Sequence, residues 1–121
     1  MNSWLTFGRK ENMAYQLDIT DEAKMDMVEI YNHITTQLRN PIAAANTIAR
    51  IDEAILDLAE SPGYSLVNDE FLAAQGLRRI VAGNYLVFFS RNDEEKTIEI
   101  MRVLYGRRDW ANILTNPQNH V

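Results

Sequence analysis

The sequence predicts an α+β fold in which a helical hairpin packs on a small twisted antiparallel sheet, in the order β-αα-βββ-α. Three observations carry this. Two amphipathic helical stripes follow one another with only Asn40-Pro41 between them, three β-rich runs come after them, and Gly83-Asn84 joins the first two runs as a two-residue hairpin turn. A chain of 121 residues fits one compact domain, which buries about two-thirds of the surface its unfolded form exposes.

Residues 14–20 alternate Tyr15, Leu17 and Ile19 with polar neighbours, the period of a strand. Thr20 stands where a helix N-cap belongs, with Asp21 and Glu22 in the first turn, at the positive end of the helix dipole. Apolar residues at 23, 27, 30, 34 and 38, joined by Tyr31, predict a helix over 21–39 with Asp26, Glu29, His33 and Gln37 on its wet side. Asn40 caps a second helix and Pro41 suits its first position. That helix, over 41–60, carries apolar residues at 44, 48, 51, 55 and 58, with Asp52, Glu53, Asp57 and Glu60 mostly off the stripe, and Ser61-Pro62-Gly63 ends it. Residues 64–76 have no usable period and read as a crossing loop. Strands are expected near 77–82, 85–91 and 97–104, followed by a short helix or turn through Trp110 to Leu114. Residues 1–13 read as a flexible extension, 14–115 as the folded domain and 116–121 as a polar tail.

Composition narrows the function. The absence of cysteine removes disulfides, thiolate catalysis and cysteine-ligated zinc, and fits a reducing cytoplasm. No apolar run approaches the ~20 residues of a membrane span, so no membrane role is expected. The net charge of −5 is uneven: residues 14–70 carry −8 and residues 71–121 carry +2, which suggests one working face. His33 falls on a wet helix side, His120 lies in the tail, and Asp93-Glu94-Glu95 sits in a turn. Neither a metal nor a cofactor is expected, and no phosphate loop or nucleophile elbow is present.

Four local sequences then carry a resemblance. They are Tyr15 to Ala23, Leu58-Ala59-Glu60-Ser61-Pro62, the passage from Gly76-Leu77-Arg78-Arg79 to Tyr85-Leu86-Val87-Phe88-Phe89, and Ile100 to Asp109 with its Leu104-Tyr105-Gly106-Arg107-Arg108-Asp109 close. In this order and spacing they resemble the RelE/ParE toxins of type II toxin–antitoxin systems. The resemblance implies a cognate antitoxin whose disordered C-terminal region wraps the toxin as strand or helix in a hetero-oligomer. It implies one of two targets, DNA gyrase for the ParE branch or ribosome-bound messenger RNA for the RelE branch, and the fold serves both.

RNA cleavage by a 2′-hydroxyl needs a proton acceptor, a donor and cationic support for the phosphate. By resemblance, Arg79, Arg102, Tyr105 and Arg108 would form that catalytic set if the protein is a ribonuclease. Two departures weaken it. Leu77 and Leu86 stand where the RelE pattern places cations, and residues 110–114 lack the expected tyrosine. The Tyr105-Gly106-Arg107-Arg108 tail looks more like the ParE branch. The expectation is therefore a gyrase inhibitor without chemistry of its own, with Arg102, Tyr105, Arg107, Arg108 and Trp110 as target-binding residues. The alternatives are a ribosome-dependent endoribonuclease and a non-toxic binding module of the same fold. Bland roles stand beside these: Arg102 shares strand parity with Ile98, Ile100 and Leu104, so it wants an acid partner or a wet rim, and Tyr105 suits a packed aromatic at the sheet end.

Overall fold

The computed structural model describes residues 14–61 and 70–115. Its elements are β1 (Gln16–Ile19), α1 (Asp21–Gln37), α2 (Pro41–Glu60), α3 (Glu70–Ala74), β2 (Arg78–Ala82), β3 (Tyr85–Asn92), β4 (Thr97–Tyr105) and α4 (Trp110–Thr115). The expected extension at 1–13, the tail at 116–121 and the loop residues 62–69 lie outside the described residues.

The predicted helix signals act as read. Thr20 accepts the Ala23 N–H at 3.1 Å, and Asn40 accepts the Ala43 N–H at 3.0 Å with Pro41 at the first position of α2. Between the helices Arg39 takes a positive φ of 51°, which lets the chain reverse at once. Gly83 has φ +63° while Asn84 does not turn positive, the pattern of a type II′ hairpin turn.

The sheet order is β1-β4-β3-β2. β2, β3 and β4 pair antiparallel, and β1 joins the edge of β4 in parallel from Gln16↔Thr97 to Ile19↔Ile100. The sheet is therefore mixed: an antiparallel core with one parallel edge strand, reached by way of the two helices. Both hairpin helices lie on one face. Ala23, Ile51, Ile55 and Leu58 pack there with Val87, Phe89, Ile98, Ile100 and Val103, and each fully buried aliphatic side chain contributes roughly 1.5–3 kcal/mol.

The other face is covered as well. Leu72 of α3 and Ile113 of α4 close over Leu86, Phe88 and Leu104. Within the stretch expected to be a loop, Glu70–Ala74 is thus a helical turn with Leu72 fully buried; five residues are too few to show a period. A second correction concerns β4. Its register against β3 shifts between Phe88↔Arg102 and Phe89↔Ile100, which leaves Met101 as the extra residue of a β-bulge. Ile98 and Ile100 therefore share the hairpin face with Val103, while Leu104 belongs to the opposite cluster. The simple alternation that grouped Arg102 with Ile98, Ile100 and Leu104 breaks at Met101.

Candidate functional site

The bulge is pinned from α1. The Thr20 N–H donates to the Ile100 carbonyl and its hydroxyl to the Met101 carbonyl, both at 3.0 Å. One residue past Ile19 the β1 ladder has ended, so the edge of β4 beyond Met101 needs another partner. Asp26 supplies it: its carboxylate accepts the Val103 N–H at 2.9 Å. The same carboxylate receives Arg102 through Nε at 2.7 Å and Nη2 at 2.9 Å, a two-pronged pair with both side chains buried. The hydrogen bond it donates to Asp26 holds the Arg102 guanidinium above its ordinary range. Asp26 is therefore not on the wet side of α1, as its sequence position suggests, but at the structural centre of the site.

Beside this pair opens a groove of about 670 Å³, walled by Ile30, Ile34, Tyr85 and Leu104 and bordered by Tyr105 and Arg108. Tyr105 is 40% exposed and meets the Tyr85 ring edge-on at 5.7 Å. Burial, with the neighbouring Tyr105, pushes the Tyr85 hydroxyl above its usual range, so it stays a neutral donor at physiological pH. The motif after Tyr105 has a local reason for its residues. Gly106 donates its N–H to the Asn84 carbonyl at 2.9 Å, and a Cβ at that position would come within 3.3 Å of the same oxygen. Asp109 then accepts the Asn112 N–H at the start of α4. Between these two fixtures Arg107 and Arg108 are exposed.

Arg79 and Trp110 sit elsewhere. The Arg79 guanidinium lies 5.4 Å from the centre of the Trp110 ring, which also packs on Phe88 at 5.4 Å and Phe71 at 6.1 Å. This stack belongs to the face opposite the hairpin. The structure thus brings Tyr105 and Arg108 to one groove, engages Arg102 with Asp26, which lines that groove, joins Arg79 to Trp110 on the other face, and leaves Arg107 on the exposed turn. Leu77 and Leu86 serve the second apolar cluster. Among the described residues no group of three or more His, Asp or Glu is placed to hold a metal ion, and no helix is long and apolar enough to cross a membrane. Thr20, Asp26 and Tyr85 are site residues that sequence reasoning missed. Only Thr20 left a trace, as a helix cap.

Comparison with solved structures places this architecture. A chain of the chromosomal ParDE toxin–antitoxin system of P. aeruginosa is similar with a TM-score of 0.63 and 22% identity, over 76% of this chain and 96% of that one. The RelBE2 toxin–antitoxin complex of Mycobacterium tuberculosis gives 0.56 and 22%, over 76% and 98%. The archaeal RelE–RelB complex of Pyrococcus horikoshii gives 0.54 and 21%, over 79% and 99%. No curated protein matches the chain. The fold is that of the RelE/ParE toxins. Residues 17–110 match the family model of the ParE toxin of type II toxin–antitoxin systems, parDE, and the chain belongs to that family, as a toxin component.

Proposed function

We propose that this toxin arrests bacterial growth by binding DNA gyrase in the cytoplasm, performs no chemistry of its own, and is neutralised by a cognate antitoxin. The observation that carries the first part is the Arg102–Asp26 pair. Cleavage of RNA needs a guanidinium free to meet the phosphate. Here Nε and Nη2 of Arg102 are both committed to a buried carboxylate, and two positions where the RelE pattern places cations are Leu77 and Leu86. What the tail offers instead is a binding surface: exposed Tyr105, Arg107 and Arg108 on a turn fixed by Gly106 and Asp109. The similar structures from P. aeruginosa and M. tuberculosis are toxin–antitoxin assemblies, which supports an antitoxin partner here.

Two assays on the purified protein test the target. Loss of gyrase supercoiling with intact messenger in a translating extract is the expected result. Codon-positioned cuts in messenger, read by primer extension, with normal supercoiling would establish the ribonuclease instead. Expression alone should arrest growth, and co-expression of the neighbouring reading frame should restore it. Harmless expression of folded protein would favour a binding module that keeps the fold without the poison.

A further inference from the structure

β1 covers the outer edge of β4 from Thr97 to Ile100, and Thr20 and Asp26 carry the cover on to the Val103 N–H. Past that point two bonds fix where the main-chain groups of β4 face. The Val103 N–H leaves the sheet for Asp26 at 2.9 Å, and the Gly106 N–H turns back into it, to the Asn84 carbonyl, also at 2.9 Å. Successive residues of a strand aim their N–H and carbonyl groups to alternate sides. The Val103 carbonyl and the Tyr105 N–H therefore both face outward, away from β3. The Tyr105 carbonyl is taken by the Arg108 N–H at 3.0 Å, but these two groups have no partner among the described residues. Val103 is 1% exposed, so its carbonyl is a buried acceptor of the kind that a fold normally satisfies.

Val103 and Tyr105 both line the groove of about 670 Å³ beside the Asp26–Arg102 pair, a size within the range of binding sites. Ile30, Ile34 and exposed Leu38 give it an apolar wall. Arg108 stands at its border, with Arg107 exposed on the same turn. Of the acids that line it, Asp26 is committed to Arg102, which leaves Glu29. Each feature narrows the occupant. A helix spends its N–H and carbonyl groups internally and has none for the open pair. An extended chain has them, and in a strand parallel to β4, as β1 is, one residue serves both groups. Alternate side chains of such a strand point the same way, so apolar ones fit against Ile30, Ile34 and Leu38. Beyond Tyr105 the chain meets Arg107 and Arg108, which select carboxylates.

We propose that the open end of β4 takes up an extended segment of the target as an added strand, with apolar side chains in the groove and carboxylates on Arg107 and Arg108. The proposal rests on the target reading above only for which chain supplies the segment. Its shape and chemistry come from the groove, which Tyr105 and Arg108 make continuous with the surface assigned to the target.

The test uses the full chain, labelled with nitrogen-15, and three synthetic peptides of about eight residues. Two share a valine-rich first half and end in glutamates or in lysines; the third is the glutamate peptide with the amides of its valine-rich half N-methylated. The glutamate peptide should saturate, shift the Val103 and Tyr105 amides, and slow hydrogen exchange at Tyr105 at least about tenfold. The lysine and N-methylated peptides should bind at least about tenfold more weakly. Arg107→Glu with Arg108→Glu, and separately Leu38→Ser, should each weaken binding about tenfold and leave the unfolding midpoint in place, because all three side chains are exposed. In a supercoiling assay, excess glutamate peptide should relieve inhibition. Equal binding of the three peptides, unslowed exchange at Tyr105, or unchanged affinity in both variants would overturn the proposal. So would binding that leaves inhibition intact, which would give the groove to another partner, the antitoxin included. Exchange at Tyr105 that slows with protein concentration alone would give it to a second copy. A protein that takes the glutamate peptide in this way but has no effect on supercoiling would sink the gyrase reading alone. Inhibition of supercoiling without peptide binding would sink only the added strand.

Discussion

Asp26→Ala is the perturbation with the largest expected consequence for the fold. The carboxylate serves three donors at once: Arg102 Nε at 2.7 Å, Arg102 Nη2 at 2.9 Å and the Val103 N–H at 2.9 Å. Removing it takes from a buried guanidinium the carboxylate it is paired with, which costs about 3–5 kcal/mol. It also orphans a backbone N–H on β4, which costs about 1–3 kcal/mol. The two losses overlap, because water that reaches one group reaches the other, and about 4 kcal/mol is the expected sum. Against a total stability of about 5–15 kcal/mol, that is enough to leave the variant partly unfolded at the low end.

Urea unfolding followed by far-ultraviolet circular dichroism measures the loss as a fall in midpoint at constant slope. Asp26→Asn keeps one acceptor and should lose about half as much. The decisive variant is the double exchange Asp26→Leu with Arg102→Met. A buried ion pair replaced by apolar groups of similar volume is close to neutral, so the double variant should be at least ~2 kcal/mol more stable than Asp26→Ala. A loss below about 1 kcal/mol for Asp26→Ala, or a double variant no better than the sum of the single exchanges, would refute the reasoning.

Asp52 should behave in the opposite sense. Its Oδ1 is buried without a hydrogen-bond partner, and burial raises its pKa from 3.8 to about 6. A folded pKa above the unfolded one means that the stability owed to the protonated form is full below pH 3.8 and is lost as the pH rises through about 6. Asp52→Asn should therefore stabilise the fold at pH 7 by about 1–2 kcal/mol, after allowance for its partial exposure, and the gain should vanish in acid unfolding curves below roughly pH 4. Trp110→Ala removes the seat of Arg79 and the contacts with Phe88 and Phe71, and should cost about 2–3 kcal/mol, with α4 becoming the first site of limited proteolysis. In a supercoiling assay Arg107→Ala with Arg108→Ala should weaken inhibition at least about tenfold. Tyr105→Phe should change it less than about twofold, since a binding face has no use for the hydroxyl proton.

The parts of the fold legible in the sequence are those set by near neighbours. Thr20 and Asn40 cap helices with their own side chains, Pro41 fits only a first turn, and Gly83 supplies the one positive φ that the hairpin turn needs. Each acts within four residues. The misreadings come from non-local contacts or from elements too short to show a period. Asp26 sits among polar residues on α1, and nothing in its surroundings announces that β1 will end at Ile19, opposite Ile100, and leave the Val103 N–H open, 77 residues further on. Counting in twos gives Arg102 the face of Ile98 and Ile100, a rule that holds only until Met101 adds a residue. α3 is shorter than two helical turns, so Leu72 has no periodic partner to betray it. The Tyr105 to Asp109 motif was legible as a motif, but its physical basis, the Gly106 contact with Asn84, depends on the hairpin being in place.

The same pair that fixes β4 also bears on the choice between binding and cleavage. For Arg102 to support a phosphate it must leave Asp26, and breaking a buried pair costs about 3–5 kcal/mol. A free guanidinium would then be present in roughly one molecule in two hundred to one in several thousand. A ribonuclease acting through Arg102 would have to recover that energy from its substrate, because a conformation can be drawn out only by a ligand that binds it better. Arg107 and Arg108 face no such toll: they are exposed already, on a backbone turn held at both ends that need not rearrange to present them. Pre-formed contacts of that kind favour tight binding, which is what an inhibitor without chemistry needs. The relation can be measured directly. If the Asp26→Leu and Arg102→Met double exchange keeps the fold and still blocks supercoiling, Arg102 serves the scaffold alone; if it keeps the fold and loses the poison, the pair itself belongs to the working surface.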